Sequence, residues 1–163
     1  MKNVMVWVAG LVFLAMGACT QKVDLETEKA HIKKVVDQLE QFLETEDMEL
    51  FSKIMAHDPD MVNFGTDAAE RFVGWESLKE LMQKQNASYE NTKITVKDQV
   101  ITVNTYGNAA WFSEVADWDL VAQGHPIKLQ GSRFTGVLEK RNGDWVIVQF
   151  HASIPVSGQA AAY

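Results

Sequence analysis

The sequence predicts an α+β domain in which helices pack on one face of a largely antiparallel sheet. In the first half of the chain, apolar residues recur at three- and four-residue spacing, as on a helix. In the second half, long β-branched and aromatic segments alternate with short turns. Helices that precede a meander of strands form one covering layer. The 163 residues are 47% hydrophobic and 23% charged, which suits one globular domain.

Three helices and two short strands are predicted before residue 87. The first helix follows Asp24, and its apolar stripe comprises Ile32, Val35, Val36, Leu39, Phe42 and Leu43. A shorter helix is predicted at 50–55 and a third at 75–85, with two short strands at 61–64 and 71–73.

Four long strands are predicted after that point. Their limits are 93–104, 109–122, 127–141 and 145–156. The separating turns are Tyr106-Gly107-Asn108, Gly124-His125-Pro126 and Asn142-Gly143, which are typical of hairpins.

The N-terminus has the features of a secretory signal. Lys2 precedes an apolar run at 4–15, which is shorter than the roughly 20 residues needed to span a bilayer. The segment Leu-Ala-Met-Gly-Ala-Cys, ending at Cys19, resembles the lipobox of bacterial lipoproteins, although Met16 replaces the usual Leu. The alternative is an ordinary signal peptide with an incidental cysteine.

The lipobox resemblance implies a location in the bacterial cell envelope. Cys19 would carry lipid and anchor the protein in a membrane. Thr20, where Asp would favour retention, implies the outer membrane, with the domain facing the periplasm. We therefore predict a signal peptide at 1–18, a lipidated tether at 19–23, a domain at 24–157 and a tail at 158–163.

Composition excludes several classes of partner and chemistry. The net charge is −7 without a basic cluster, so we expect no nucleic-acid partner. Cys19 is the single cysteine, so no disulfide is expected. His57, Asp58 and Asp60 are close in sequence, but their spacing is typical of a turn, and we predict no metal and no cofactor.

Several motifs resemble the SnoaL-like family of the nuclear-transport-factor-like superfamily. They are Arg-Phe-Thr-Gly-Val-Leu-Glu-Lys at 133–140, Asn-Gly-Asp-Trp-Val-Ile-Val-Gln-Phe-His-Ala-Ser at 142–153, Ala-Trp-Phe-Ser-Glu at 110–114, Asp-Pro-Asp at 58–60 and Gly-Thr-Asp at 65–67. The resemblance covers about residues 27–156. It implies a cone-shaped α+β barrel with a curved sheet around a long helix, an internal pocket and often a homodimer, but no single activity.

The predicted site depends on the register of the last hairpin. Gln149 and His151 alternate with apolar residues, so they share one face of their strand. A three-residue loop at Asn142-Gly143 would pair Arg133 with His151 and separate polar from apolar residues, whereas a two-residue turn would place Phe134 opposite His151. We favour the three-residue loop.

In that register, one mixed face forms a pocket for a small, mostly apolar molecule with a carbonyl or carboxylate group. Arg133 would bind the ligand oxygen. The other predicted ligand-binding residues are Asn63, Phe112, Trp118 and Gln149.

Three alternatives remain open. An isomerase, lyase or hydrolase would use His151 as its general acid–base, with Glu114 as partner. The steroid isomerases of the superfamily use a carboxylate base on an early strand, where this chain offers Asn63. Glu114, Arg133 and His151 could instead form a structural ion-pair network. The domain could also be a non-catalytic dimeric interaction module.

Overall fold

The computed structural model describes residues 23–158 and residue 161, and it confirms the predicted α+β fold with a curved, unclosed sheet. The elements are α1 (Leu25–Thr45), α2 (Met48–Ile54), β1 (Val62–Phe64), β2 (Arg71–Val73), α3 (Trp75–Asn86), β3 (Tyr89–Val103), β4 (Ala109–Ala122), β5 (His125–Arg141) and β6 (Asp144–Ser153). The strand order is β2-β1-β6-β5-β4-β3. Neighbouring strands are antiparallel except β1 and β6, which meet in parallel at Phe64 and His151.

Helix α1 forms the layer that covers the sheet. The Asp24 side chain caps its first turn by accepting hydrogen bonds from the backbone N–H groups of Glu26 and Thr27. Its buried stripe is Ile32, Val36, Leu39 and Phe42. The ring of Phe42 stacks on Phe51 of α2 at 4.2 Å between centroids, which joins the first two helices in one core.

Strands β4 and β5 alternate regularly between an inner, buried face and an outer face. The buried residues are Ala110, Phe112, Glu114, Ala116, Trp118 and Leu120 on β4, and Ser132, Phe134, Gly136 and Leu138 on β5. This alternation decides which side chains can reach the space between sheet and helices.

The predicted register of the last hairpin is wrong. Asn142 and Gly143 form a two-residue turn with φ of 54° and 98°, and Arg141 pairs with Asp144. Two consecutive left-handed residues give the turn whose twist matches the flanking strands. Farther along, Arg133 pairs with Ser153, and Thr135 pairs with His151.

A β-bulge at Val148 explains why Gln149 and His151 do not face the same side as Trp145 and Ile147. Ile147 pairs with Leu138 and Gln149 with Val137, so Val148 is an extra residue in β6. One extra residue inverts the alternation. Trp145 and Ile147 are buried before the bulge, whereas Ala152 is buried after it, so Gln149 and His151 turn to the outer face.

The turn between β4 and β5 also differs from the prediction. Ala122 pairs with His125, so the turn residues are Gln123 and Gly124. Pro126 belongs to β5 and pairs with Val121.

Candidate functional site

A cavity of about 80 Å³ lies between the helices and the inner face of the sheet. Every helix and strand contributes at least one residue to its wall. Leu39 and Leu43 of α1, Leu78 of α3 and Phe150 of β6 are among the apolar residues that form most of the lining. A space of this size holds about five water molecules, and therefore a small organic molecule.

Three buried polar side chains face this cavity. Asn63 is 1% exposed, Ser132 is 1% exposed and Trp118 is 7% exposed, and all three line the wall. Asn63 Nδ2, Trp118 Nε1 and Ser132 Oγ have no hydrogen-bond partner among the residues that the structure describes. Buried polar groups in proteins are nearly always hydrogen-bonded, so these three groups need partners inside the cavity, and this makes it the candidate site.

Neighbouring groups hold these side chains in place. The backbone N–H of Phe150 donates to Asn63 Oδ1 at 2.9 Å, which leaves the amide NH₂ of Asn63 free. The ring of Phe134 packs edge-on against both Trp118 and Phe150, at 5.4 Å between centroids in each case. The indole and the amide are therefore fixed before any ligand binds.

The mouth of the cavity is more polar. Glu70, Gln85 and Tyr89 lie there beside the loop that contains Gly65. A Cβ atom at Gly65 would lie 2.2 Å from Glu70 Oε2, the end of a flexible side chain, so a larger residue here would displace this carboxylate. Burial, followed by the charges of Glu70 and Asp67, raises the pKa of the Tyr89 phenol, which keeps it protonated.

Residues 32–157 match the SnoaL-like domain family. The chain belongs to the SnoaL-like family. A comparison with curated protein sequences finds no match.

Solved structures of similar proteins support the fold of this SnoaL-like domain. A Nuclear transport factor 2 (NTF2-like) superfamily protein from Salmonella enterica has a TM-score of 0.74 and 20% identity, over 85% of this chain and 99% of that one. A proposed dehydratase of the NTF2-like family from Streptomyces avermitilis has a TM-score of 0.70 and 14% identity, over 81% and 99%. A proposed aromatic ring hydroxylase from Novosphingobium aromaticivorans has a TM-score of 0.70 and 14% identity, over 82% and 94%. At these identities the comparisons establish the fold alone.

Of the predicted site residues, Asn63 and Trp118 line the cavity of the SnoaL-like domain. Phe112 is buried beside Gly136 but lies outside the cavity lining. Glu114 also faces inward, 3% exposed, away from the cavity.

Arg133, Gln149 and His151 do not face the interior, and the prediction that they do is wrong. Arg133 and His151 are exposed on the outer face of the sheet, and Phe64 is the aromatic neighbour of the His151 ring. Arg133 and Glu114 belong to opposite faces, so the predicted trio of Glu114, Arg133 and His151 does not form.

Ser132 is a cavity residue that the sequence did not predict. It precedes Arg133 and pairs with Ala116, which places its hydroxyl on the inner face together with Trp118. The sequence shows that residues of β5 point alternately to its two faces. The wrong register of the last hairpin placed Arg133 on the inner face, where the structure has Ser132.

A second polar cluster, in which Glu114 is buried and Glu40 and Gln99 are half-buried, lies between α1 and the β3–β4 pair. Gln99 Nε2 donates to Glu114 Oε2 at 2.9 Å and approaches Glu40 Oε1 at 3.5 Å. Burial and the nearby Glu114 carboxyl raise the pKa of Glu40 to about 8. Burial also raises the pKa of Glu114.

Across residues 23–158, no group of three or more His, Cys, Asp or Glu side chains is arranged to hold a metal ion. None of the helices in the same range is long and apolar enough to cross a membrane.

Proposed function

We propose that this SnoaL-like domain binds a small, mostly apolar molecule through an uncharged oxygen acceptor such as a ketone. The observation that carries the proposal is the set of three buried groups without partners: the Asn63 amide, the Trp118 indole and the Ser132 hydroxyl. Two of them are N–H donors, and the hydroxyl can donate as well. A carbonyl oxygen has two lone pairs and can satisfy two such donors at once.

The charge of the lining favours a neutral ligand over a carboxylate. Glu70 contributes the negative charge at the mouth, and no Lys, Arg or His belongs to the described lining. A buried carboxylate without a cation nearby is strongly destabilised. The sequence predicted that Arg133 would bind the carboxylate group of a ligand. Arg133 lies on the outer face, so it is not available to bind a carboxylate in the cavity.

A binding experiment with matched probes tests this proposal. Acetophenone and ethylbenzene have similar shapes, but only acetophenone has an oxygen acceptor. We expect the wild-type protein to bind acetophenone more tightly, as measured by ligand-observed NMR. Trp118→Phe and Ser132→Ala should each reduce this preference by about five- to tenfold, since each removes one hydrogen bond worth about 1 kcal/mol.

Two control variants test whether the change in affinity is specific to residues that line the cavity. Trp111→Phe and Ser113→Ala make the same chemical changes on the exposed face of that strand. They should leave both affinities unchanged. Equal affinity of the wild type for the two probes would contradict the proposal.

A lyase that removes water from a hydroxy ketone is the second candidate. Two titratable groups, Glu70 and Tyr89, lie at the cavity mouth, and a proposed dehydratase shares the fold. The geometry gives no support to His151 as the acid–base group, because its side chain lies on the outer face. Incubation with β-hydroxy ketones and detection of the dehydrated product by mass spectrometry tests this activity, which Glu70→Gln should abolish.

We further propose that Cys19 is lipidated and holds the domain at the periplasmic face of the outer membrane. Cys19 lies outside the described residues, and the proposal rests on the lipobox-like sequence that precedes it. The described domain begins at Val23, so the tether spans at most about 15 Å.

A homodimer through the outer face of the sheet is also proposed. Trp111, Val137 and Val100 are 50%, 37% and 58% exposed, and they lie on three neighbouring strands. Trp111 and Val137 are paired directly across β4 and β5. A second copy of this self-complementary face would cover the patch.

A further inference from the structure

We propose that Glu40 and Glu114 form a proton-binding site inside the domain, in which the two carboxyl groups share one proton at neutral pH. The site lies apart from the ligand cavity, in the layer between α1 and the β3–β4 pair. It does not depend on the proposed ligand.

The geometry brings the two carboxyl groups together. Gln99 Nε2 lies 2.9 Å from Glu114 Oε2 and 3.5 Å from Glu40 Oε1, so one amide group bridges both side chains. One oxygen of each carboxyl group therefore lies beside the same nitrogen atom. Two carboxyl groups placed in this way can share a proton, because a protonated carboxyl group donates a hydrogen bond that an ionised one accepts.

Limited access to solvent disfavours two charges at this point, because Glu114 is buried and Glu40 is half-buried. Glu114 is 3% exposed, and its Oε1 atom has no hydrogen-bond partner among the described residues. Two neighbouring carboxylates in a poorly solvated site cannot both ionise near neutral pH, so one retains its proton.

The surrounding charges do not neutralise the pair. On α1, Lys33 is the nearby cation, but its Nζ lies 2.6 Å from Asp37 Oδ1, and Asp37 adds a negative charge beside the site. On β3, Gln99 is uncharged, and Lys97 and Asp98 border the groove outside Glu40. Lys97 is paired with Asp117 of β4. On β5, the residue opposite Glu114 is Phe134.

The shared proton therefore adds a link between α1 and the sheet to the one that the Gln99 amide makes, and this added link is lost when both groups ionise. Leu39 and Leu43, which flank Glu40 on α1, line the cavity, so the proton site and the cavity share one helix.

Titration of the wild-type protein tests the proposal directly. Glutamate labelled with ¹³C at the side-chain carboxyl reports each protonation step by NMR. We expect one carboxyl signal to titrate near pH 8, the pKa of Glu40, to be lost in Glu40→Gln and to titrate at lower pH in Glu114→Gln. Glu76→Gln, an exposed change of the same type on α3, should leave that signal unchanged. A wild-type spectrum in which every glutamate titrates in the ordinary range would overturn the proposal.

Thermal unfolding gives a second, independent measurement. The folded state keeps the shared proton at pH values where the unfolded chain has released it. Stability from this pair is therefore greatest below the ordinary Glu pKa, falls as the pH rises toward about 8, and then levels off. The Tm of the wild type should fall between about pH 5 and pH 8, whereas Glu40→Gln and Glu114→Gln should show a flatter profile. If Tm depends on pH in the same way in all three proteins, the two carboxyl groups do not share a proton.

Discussion

Gly136 lies where β5 passes directly against the ring of Phe112. A Cβ atom at this position would lie 2.4 Å from Phe112 Cε1 and 2.9 Å from the backbone oxygen of Gln149. The ring is 2% exposed and has little room to move, so any larger residue overpacks this part of the core.

Gly136→Ala should therefore reduce the free energy of unfolding by about 1–3 kcal/mol, the usual cost of overpacking. Urea unfolding followed by circular dichroism measures the change. Thr135→Ala alters the neighbouring residue on the exposed face and should change stability by less than about 0.5 kcal/mol. A tolerated Gly136→Ala would mean that β5 and Phe112 can move apart.

The sequence predicted some of the residues that line the cavity and missed others. Trp118 was predicted from the strand pattern, and Asn63 from its place on the early strand where the steroid isomerases have their base; both line the cavity. Ser132 was missed, and Arg133 was assigned to its place, because the two are adjacent and face opposite sides of β5. An error of one residue in register exchanges the entire set of side chains on a face.

At the scale of elements, Glu28 connects the start of α1 to the last hairpin. Lys140 Nζ donates to Glu28 Oε1 at 2.6 Å, and Trp145 Nε1 donates to Glu28 Oε2 at 2.8 Å. These hydrogen bonds, that of Lys140 first, hold the pKa of Glu28 below its ordinary range. A lowered carboxyl pKa stabilises the fold above the unfolded-state pKa, and this contribution is lost as the pH falls.

Trp145→Phe should lower the free energy of unfolding by about 1 kcal/mol at neutral pH, because it removes one donor to a carboxylate and keeps most of the buried ring. The deficit should shrink at acidic pH, as Glu28 becomes protonated. Unfolding in urea at neutral and acidic pH measures both effects. Tyr106→Phe, a change at an exposed turn residue outside the proposed dimer patch, is the control. A deficit that is the same at both pH values would indicate lost packing instead of a lost hydrogen bond.

At the scale of the whole molecule, the anchor prediction concerns where the protein is found. Cys19→Ala should move it from the membrane fraction to the soluble fraction, because a lipid attached to Cys19 is proposed to hold it there. Thr20→Ala keeps the cysteine and should remain in the membrane fraction. Fractionation after a high-salt wash, followed by immunoblotting, measures the distribution. Retention of Cys19→Ala in the membranes would rule out lipidation as the anchor.

The dimer prediction also belongs to this scale. Trp111→Lys places a charge in the centre of the exposed patch, opposite Val137. Sedimentation velocity should show a dimer for the wild type and a monomer for this variant, with unchanged circular dichroism in both. A monomeric wild type at high protein concentration would refute the proposed interface.

The sequence by itself determined the α+β class, the three helices and the family, because these depend on local periodicity and on turn chemistry along the chain. It also supplied the N-terminal motif that suggests an anchor, which is a property of consecutive residues. Only the tertiary structure decided which polar side chains meet at the cavity. That outcome depends on the extra residue Val148, which inverts the two faces of β6. The approach of Glu40 to Glu114, away from the cavity, likewise depends on how α1 packs against the sheet. Neither a bulge nor a contact between distant elements produces a local pattern, because both arise when packing selects one register among several that the same strands could form.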